Sequence, residues 1–267
     1  MSYIHLCNPD IEAEGKVVVP QNSINVRKTR LIQSGPRENI FIKNSHIERV
    51  SFTLSIKMGA DFSDIFEVRG MKRASRGRIH NPKTSANRLI FSYRGLDEME
   101  RSTVVEFEVR PNRLELGRHQ AQLHYDFTLE PYEVQALEFN VFPLEEGQDP
   151  QRGDFEAIRS ELSASYEEWM DGCTTIRSDN QIFNLLLTQV MRDLRALHTR
   201  TQYGHVMVGG IPWYVAPFGR DALITGFQML MVRPEVARDA LRFLARFQGN
   251  EVNDWRDEQP GKIREMD

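Results

Sequence analysis

The sequence predicts two successive architectures: an antiparallel β-sandwich over about residues 1–145, followed by an all-α half. Three observations carry this. Apolar and polar residues alternate strictly at 50–58 and again at 121–129; a polar stretch punctuated by Pro and Gly follows at 143–154; and beyond it the apolar period lengthens from two residues to about 3.6.

Taken in order, short β-rich runs occupy 16–20, 23–32 and 39–43. In "VSFTLSIKM", Val50, Phe52, Leu54, Ile56 and Met58 alternate with Ser51, Thr53, Ser55 and Lys57, the mark of a strand with one buried face. Runs at 88–94 and 103–109 follow, and then "AQLHYDFTL" sets Ala121, Leu123, Tyr125, Phe127 and Leu129 against Gln122, His124, Asp126 and Thr128. A last run covers 134–142. Many half-buried strands without a helical period indicate a sandwich. "PLEEGQDPQRGD" at 143–154 has the composition of a linker, so residues 146–177 read as linker and helix and 178–267 as the helical domain proper.

Phe155, Ile158, Leu162, Tyr166 and Trp169 mark a first helix; Ile182, Leu186, Val190, Leu194 and Leu197 mark a second, with Ser178 and Gln181 spaced as a capping box. Leu223, Ile224, Phe227, Leu230 and Met231 form a third stripe, and Ala237, Ala240, Leu241, Leu244 and Phe247 a fourth, with Pro234 suited to its first turn and Gly249 to its end. Four amphipathic helices need partner surfaces, so an apolar flank open to self-association is expected.

Bulk properties narrow the function classes. A net charge of −4 offers no overall attraction to nucleic acid or an anionic membrane. Two cysteines, Cys7 and Cys173, imply no disulfide framework and fit a reducing compartment. No stretch approaches the roughly 20 apolar residues that span a bilayer, and "MSYIHLCNPD" lacks the regions of a signal peptide, so the expectation is a cytoplasmic protein. No HxH, HExxH, P-loop, dinucleotide or G-x-S-x-G pattern occurs, so no metal or cofactor is implied. "RGMKRASRGR" at 69–78 has the charge of a phosphate-binding patch, but without interleaved aromatics and between strands it reads as a solvated loop.

The most informative segment is "GGIPWYVAPFGRDALITGFQML" at 209–230. Arg220 and Asp221 stand where a proline-containing loop meets a helix start, with free amides and the positive helix end facing the same space. A carboxylate there accepts from neighbouring hydroxyls while a guanidinium donates in a fixed fork, which suits a sugar. Trp213 and Tyr214 would supply a flat apolar face. The simpler reading makes Asp221 the helix cap and Arg220 the partner of a nearby carboxylate, with the aromatics as core anchors. "WRDEQPGKIRE" at 255–265 sets Asp257, Glu258 and Glu265 around Lys262, on composition an ion-paired surface loop.

These segments resemble a family. "GGIPWYVAPFGRDALI", "DALRFLARFQG" and "DWRDEQPGKI", with "DFSDIFEVRG" at 61–70, are similar in order to the bacterial amylo-α-1,6-glucosidases, glycosidases of the glycogen-debranching type. The resemblance implies a β-sandwich followed by an (α/α)6 toroid acting on α-glucosidic bonds with inversion. It assigns Arg220 and Asp221 to the non-reducing terminal glucose of an α-glucan or oligosaccharide, and Trp213, Trp255 and Glu258 to the pocket wall and polar rim. The family usually reads GKI-x-His-Glu where this chain has GKI-Arg-Glu, one residue short and without the histidine, so the resemblance carries no role over to Glu265.

A toroid of twelve helices needs on the order of 200 residues, and 90 follow Arg177. The family's β domain also begins before the segment matching "YIHLCNPD". The expectation is therefore a fragment, its start and most of its toroid missing. Inverting hydrolysis needs a general acid and a base about 6.5–9.5 Å apart; the resemblance places both downstream, so no catalytic residue is expected in this chain and the chain alone is expected to be inactive. Asp221, as an ionised sugar ligand, is a poor general acid. The alternatives are a non-catalytic carbohydrate-binding or interaction protein, and another (α/α)6 glycosidase such as a trehalase or glucoamylase relative.

Overall fold

The computed structural model describes residues 1–33, 35–150, 152–211, 213–256 and 258–263. The chain forms two compact units, Met1–Ile158 and Arg159–Asp267. In the first, the strands are β1 (Ser2–Cys7), β2 (Ile11–Ala13), β3 (Lys16–Val19), β4 (Ile24–Ile32), β5 (Pro36–Asn44) and β6 (Val50–Gly59). A one-turn helix α1 (Ile65–Val68) precedes β7 (Arg78–Ile79), β8 (Lys83–Ser85), β9 (Arg88–Arg94), β10 (Glu100–Phe107), β11 (Arg113–Leu116), β12 (Gln120–Leu129) and β13 (Val134–Glu145). One sheet runs β1-β4-β5-β13-β10-β9-β7 with β8 also on β9, and a second runs β11-β12-β6. All these pairings are antiparallel.

The alternation in the sequence decides which faces meet. Ala121, Leu123, Tyr125, Phe127 and Leu129 are all buried, and they share one core with Leu89, Phe91, Val105, Ile40, Ile42 and Phe139 of the larger sheet. Tyr125 meets Phe139 edge to face at 6.2 Å. Asn44 is also buried; its side-chain amide donates to the carbonyls of Glu48, Leu129 and Glu130, so a polar group in the core is satisfied rather than stranded.

Two local expectations are corrected. His124, assigned to the outer polar face, is buried because β11 and β6 flank β12 on both sides there: its Nδ1 lies 2.8 Å from Ser55 Oγ and its Nε2 3.5 Å from Glu115 Oε1. Pro143, assigned to the linker, lies inside β13 opposite Thr103. Pairing of β13 with β5 has already stopped at Asn140, so the missing amide of Pro143 breaks no ladder on that side.

The second unit takes over part-way along α2 (Phe155–Asp171) and continues through α3 (Gln181–Leu197), the hairpin β14 (His198–Thr201) and β15 (Gly204–Met207), α4 (Gly219–Gln228), a 3-10 turn Met229–Met231, and α5 (Glu235–Ala245). The β-then-α order is as expected, but the β14–β15 hairpin was not foreseen. The cap of α3 differs too: Asn180, not Ser178, is the N-cap, accepting from Phe183 N at 3.1 Å, while the Ser178 hydroxyl instead accepts from Asn180 N. α4 and α5 pack through small residues. Ala222 and Ala240 are fully buried beside Val206, Phe243 and Leu244, and a Cβ on Gly226 would lie 2.9 Å from Ala237 Cα. Trp169, Met207, Met229 and Val236 form a neighbouring cluster. No described helix is long and apolar enough to cross a membrane.

Candidate functional site

The Arg-Asp segment is built by its glycines. Gly210 and Tyr214 exchange two backbone hydrogen bonds, 3.1 and 2.8 Å, which closes a tight loop carrying Trp213. A Cβ on Gly209 would approach Phe218 Cδ2 and Tyr214 Cβ to 3.2 Å, so the absence of a side chain lets those rings fold back over the loop, edge to face at 6.2 Å. Phe218 is the N-cap of α4 and supplies no side-chain cap. Arg220 and Asp221 are the second and third residues of the helix.

This corrects one half of the simpler reading of the pair, the cap. Asp221 does not cap the helix; it sits in the first turn, where the positive helix end favours its charge. Arg220 pairs with no carboxylate among the described residues. Among the described residues neither side chain takes part in a hydrogen bond, ion pair or ring contact, and both are exposed. Burial of Ala222 and Gly226 against α5 fixes the helix rotation that leaves the pair outward.

Trp213 is half-exposed at 49% and Trp255 almost wholly exposed at 95%. Trp255 rides a 3-10 turn, Asp254–Arg256, at the tip of a loop closed by two backbone hydrogen bonds between Asn253 and Glu258, 2.9 and 3.0 Å. Glu258 is not a rim residue: it is 4% exposed and accepts from Asn250 N at 3.1 Å, bracing the loop from inside. Gly249 does not end α5, which stops at Ala245; a Cβ there would come within 2.5 Å of Gln259 O, so its role is to let the two arms of this loop touch. Nothing bonds Trp213 or Trp255 to Arg220 or Asp221. Asp257 and Glu265 lie outside the described residues.

Two clefts went unseen in the sequence. In the helical unit, a cleft of about 410 Å³ is bordered by Trp169, Arg195, His198, His205, Arg233 and Asp239, among others. Burial, reinforced by the neighbouring His205, pushes the His198 imidazole down to about 4, against which Asp239 at 3.6 Å pulls only weakly. Arg233 stacks on the Trp169 ring at 4.5 Å and donates to Trp169 O at 2.7 Å.

In the β unit, a cleft of about 530 Å³ is bordered by Phe62, Ser63, Asp64, Arg73, Tyr93, Gly95, Leu96, Asp97 and Arg101. The segment "DFSDIFEVRG" forms one wall. Asp64 caps α1 through Phe66 N and Glu67 N, and Glu67 returns the bond to Asp64 N. The basic stretch at 69–78 folds back on these acids: Arg73 pairs with Asp64 at 3.3 Å and with Glu67 at 3.7 Å, and Arg76 with Glu67 at 3.1 Å. The β9–β10 turn forms the other wall, where Arg101 grips Asp97 with two bonds, 3.1 and 2.7 Å, and so holds the Asp97 carboxyl down to about 2. Among the described residues no cluster of His, Cys, Asp and Glu forms that could hold a metal ion.

One family model and one solved structure agree with this architecture. No curated protein matches the chain. Among solved structures, a candidate kojibiose phosphorylase from the human microbiome superposes over 84% of this chain with a TM-score of 0.60 and 12% identity, a likeness of fold. This chain spans 32% of that one. A polysaccharide lyase aligns over 57% of this chain and 24% of its own, with 18% identity and a TM-score of 0.30. Residues 1–140, which hold nearly the whole sandwich, match the model of the N-terminal domain of some glycogen debranching enzymes. More than half of the sequence lies within that match, and the chain belongs to this family.

Proposed function

We propose that the chain is part of an enzyme acting on α-glucosidic bonds of α-glucans, of the amylo-α-1,6-glucosidase type, in which the helices of the second unit begin an (α/α)6 toroid and Arg220 and Asp221 grip the terminal glucose. The observation that carries this reading is the exposed pair itself: a guanidinium and a carboxylate held outward at the start of a fixed helix, following a loop that exposes Trp213. Both side chains are exposed, where a ring of hydroxyls can reach them. Family membership supplies the substrate class. In this reading the general acid and base of an inverting hydrolysis come from outside residues 1–267, and Trp255 stands at the pocket mouth.

The test is a titration of the purified chain with maltose, followed through its tryptophan indole and arginine guanidinium signals. The Trp213 and Arg220 signals are expected to shift in the wild type and to stay still in Asp221→Asn, with the melting temperature unchanged. Shifts that survive Asp221→Asn would remove the pair from sugar binding. Incubation of the same chain with maltoheptaose or a branched glucan, with and without phosphate, is expected to release neither glucose nor glucose phosphate. Turnover in either arm would place the chemistry inside this sequence, and the phosphate arm would separate phosphorolysis from hydrolysis.

A further inference from the structure

We propose that the β-sandwich unit carries its own saccharide-binding cleft, separate from the Arg220–Asp221 loop, in which Phe62, Tyr93 and Leu96 give the apolar wall and the Asp97–Arg101 and Asp64–Arg73 pairs contact hydroxyls. The cleft's volume of about 530 Å³ lies in the range of small-molecule sites and suits a short oligosaccharide. Its walls mix the two surfaces a sugar presents. Phe62 stacks at 5.4 Å, planes 16° apart, on Tyr93, which is buried and backs the wall, and Leu96, largely exposed, borders the same cleft.

The charges select a neutral ligand. Two carboxylates and two guanidiniums border the cleft, and each is already paired with an opposite charge, so it offers no net attraction to an anion or a cation. What remains are spare acceptor and donor positions on groups whose orientation is fixed. Asp64 spends Oδ1 on the two amides of α1 and turns Oδ2 to Arg73. Asp97 accepts from Met99 N at 3.2 Å as well as from both Arg101 nitrogens. A paired, ionised carboxylate of this kind accepts from a hydroxyl without needing to change protonation.

One feature of the backbone shows that the cleft is assembled at a cost. Phe62 holds a left-handed φ of 50°, which an aromatic residue seldom adopts and which collects at ligand clamps and active sites. That conformation accompanies its stacking on Tyr93, whose hydroxyl accepts from Gly77 N at 3.0 Å. At Gly95 a Cβ would meet the ends of the Asp97 and Arg101 side chains, lying 2.8 Å from Arg101 Nη1, so a side chain there would push the fork aside. The cleft shares with the proposed function only the class of ligand, and either can fail without the other.

The experiment is a titration of the isotopically labelled full chain with maltotetraose, reading the backbone amides of Ser63, Gly95 and Asp97 alongside the Trp213 indole. The three amides are expected to shift together, in the wild type and equally in Asp221→Asn. Arg101→Gln and Leu96→Arg, both at positions outside the core, are expected to weaken that binding about tenfold with unchanged melting temperature. The proposal is overturned if the amides stay still while maltotetraose moves only Trp213, if both variants bind undiminished, or if sodium phosphate rather than maltotetraose moves the same amides.

Discussion

His198 is held neutral by its surroundings. The ring lies 5.1 Å from Trp169 and is stacked at 5.0 Å on His205, with Arg195 and Arg233 nearby and Asp239 opposing them. An unfolded chain takes up the proton as pH falls below about 6.5, whereas the folded protein resists it down to about 4. Acid therefore draws the equilibrium toward the unfolded chain across that window, and the stability His198 contributes at neutral pH is lost on the way down. The full shift would amount to about 3 kcal/mol; because the ring borders an open cleft, screening reduces the expected loss to about 1–2 kcal/mol. His198→Phe is expected to flatten the decline of melting temperature between pH 6.5 and pH 4, and an unaltered slope would mean that other groups govern it. Nothing in the sequence announces this residue. His198 is one of seven histidines, and its desolvation arises from Trp169, about thirty positions earlier, and from the turn that returns His205.

Elements were legible where one period governed many residues. The 121–129 alternation placed five side chains on one face and all five are buried, because a strand between two neighbours in a sheet has only two faces to choose from. Ends were less legible. Ser178 and Asn180 both satisfy the chemistry of a cap, and only the path of the backbone decides for Asn180. Pro143 looked like a strand breaker, and whether a proline breaks a strand depends on which neighbour reaches that far. Between α4 and α5, the sequence placed Gly226 inside a helical stripe without a reason, and the contact supplies one. Removing a helical glycine would gain up to about 1 kcal/mol in propensity, but the new Cβ would lie 2.9 Å from the Ala237 backbone. Gly226→Val is therefore expected to destabilise the protein by about 2–3 kcal/mol on balance, seen as an earlier urea midpoint; a neutral or stabilising result would mean the helices part easily.

At the scale of the molecule, the helical unit exposes more apolar surface than its own packing can cover. Ile182, Leu185 and Leu186 of α3 and Phe227 of α4 all face outward, as does Met231 just beyond it. The chain in isolation is expected to bind a hydrophobic dye and to self-associate with rising concentration; a monodisperse, dye-negative monomer would contradict this. The order of architectures was readable because composition and period both change near residue 150, whereas the two clefts were not. The β cleft joins residues 62–64, 73 and 93–101, which meet only after the sheet has formed. The placement of the three tryptophans has an optical consequence. Trp169 is sealed under Arg233, Trp213 is half-covered and Trp255 stands in water at the tip of a braced loop. Native emission thus contains a dark-shielded, an intermediate and a quencher-accessible component, and whatever comes to lie over the Trp255 loop, glycan or polypeptide, will announce itself by protecting the last of these from iodide while leaving the first unchanged.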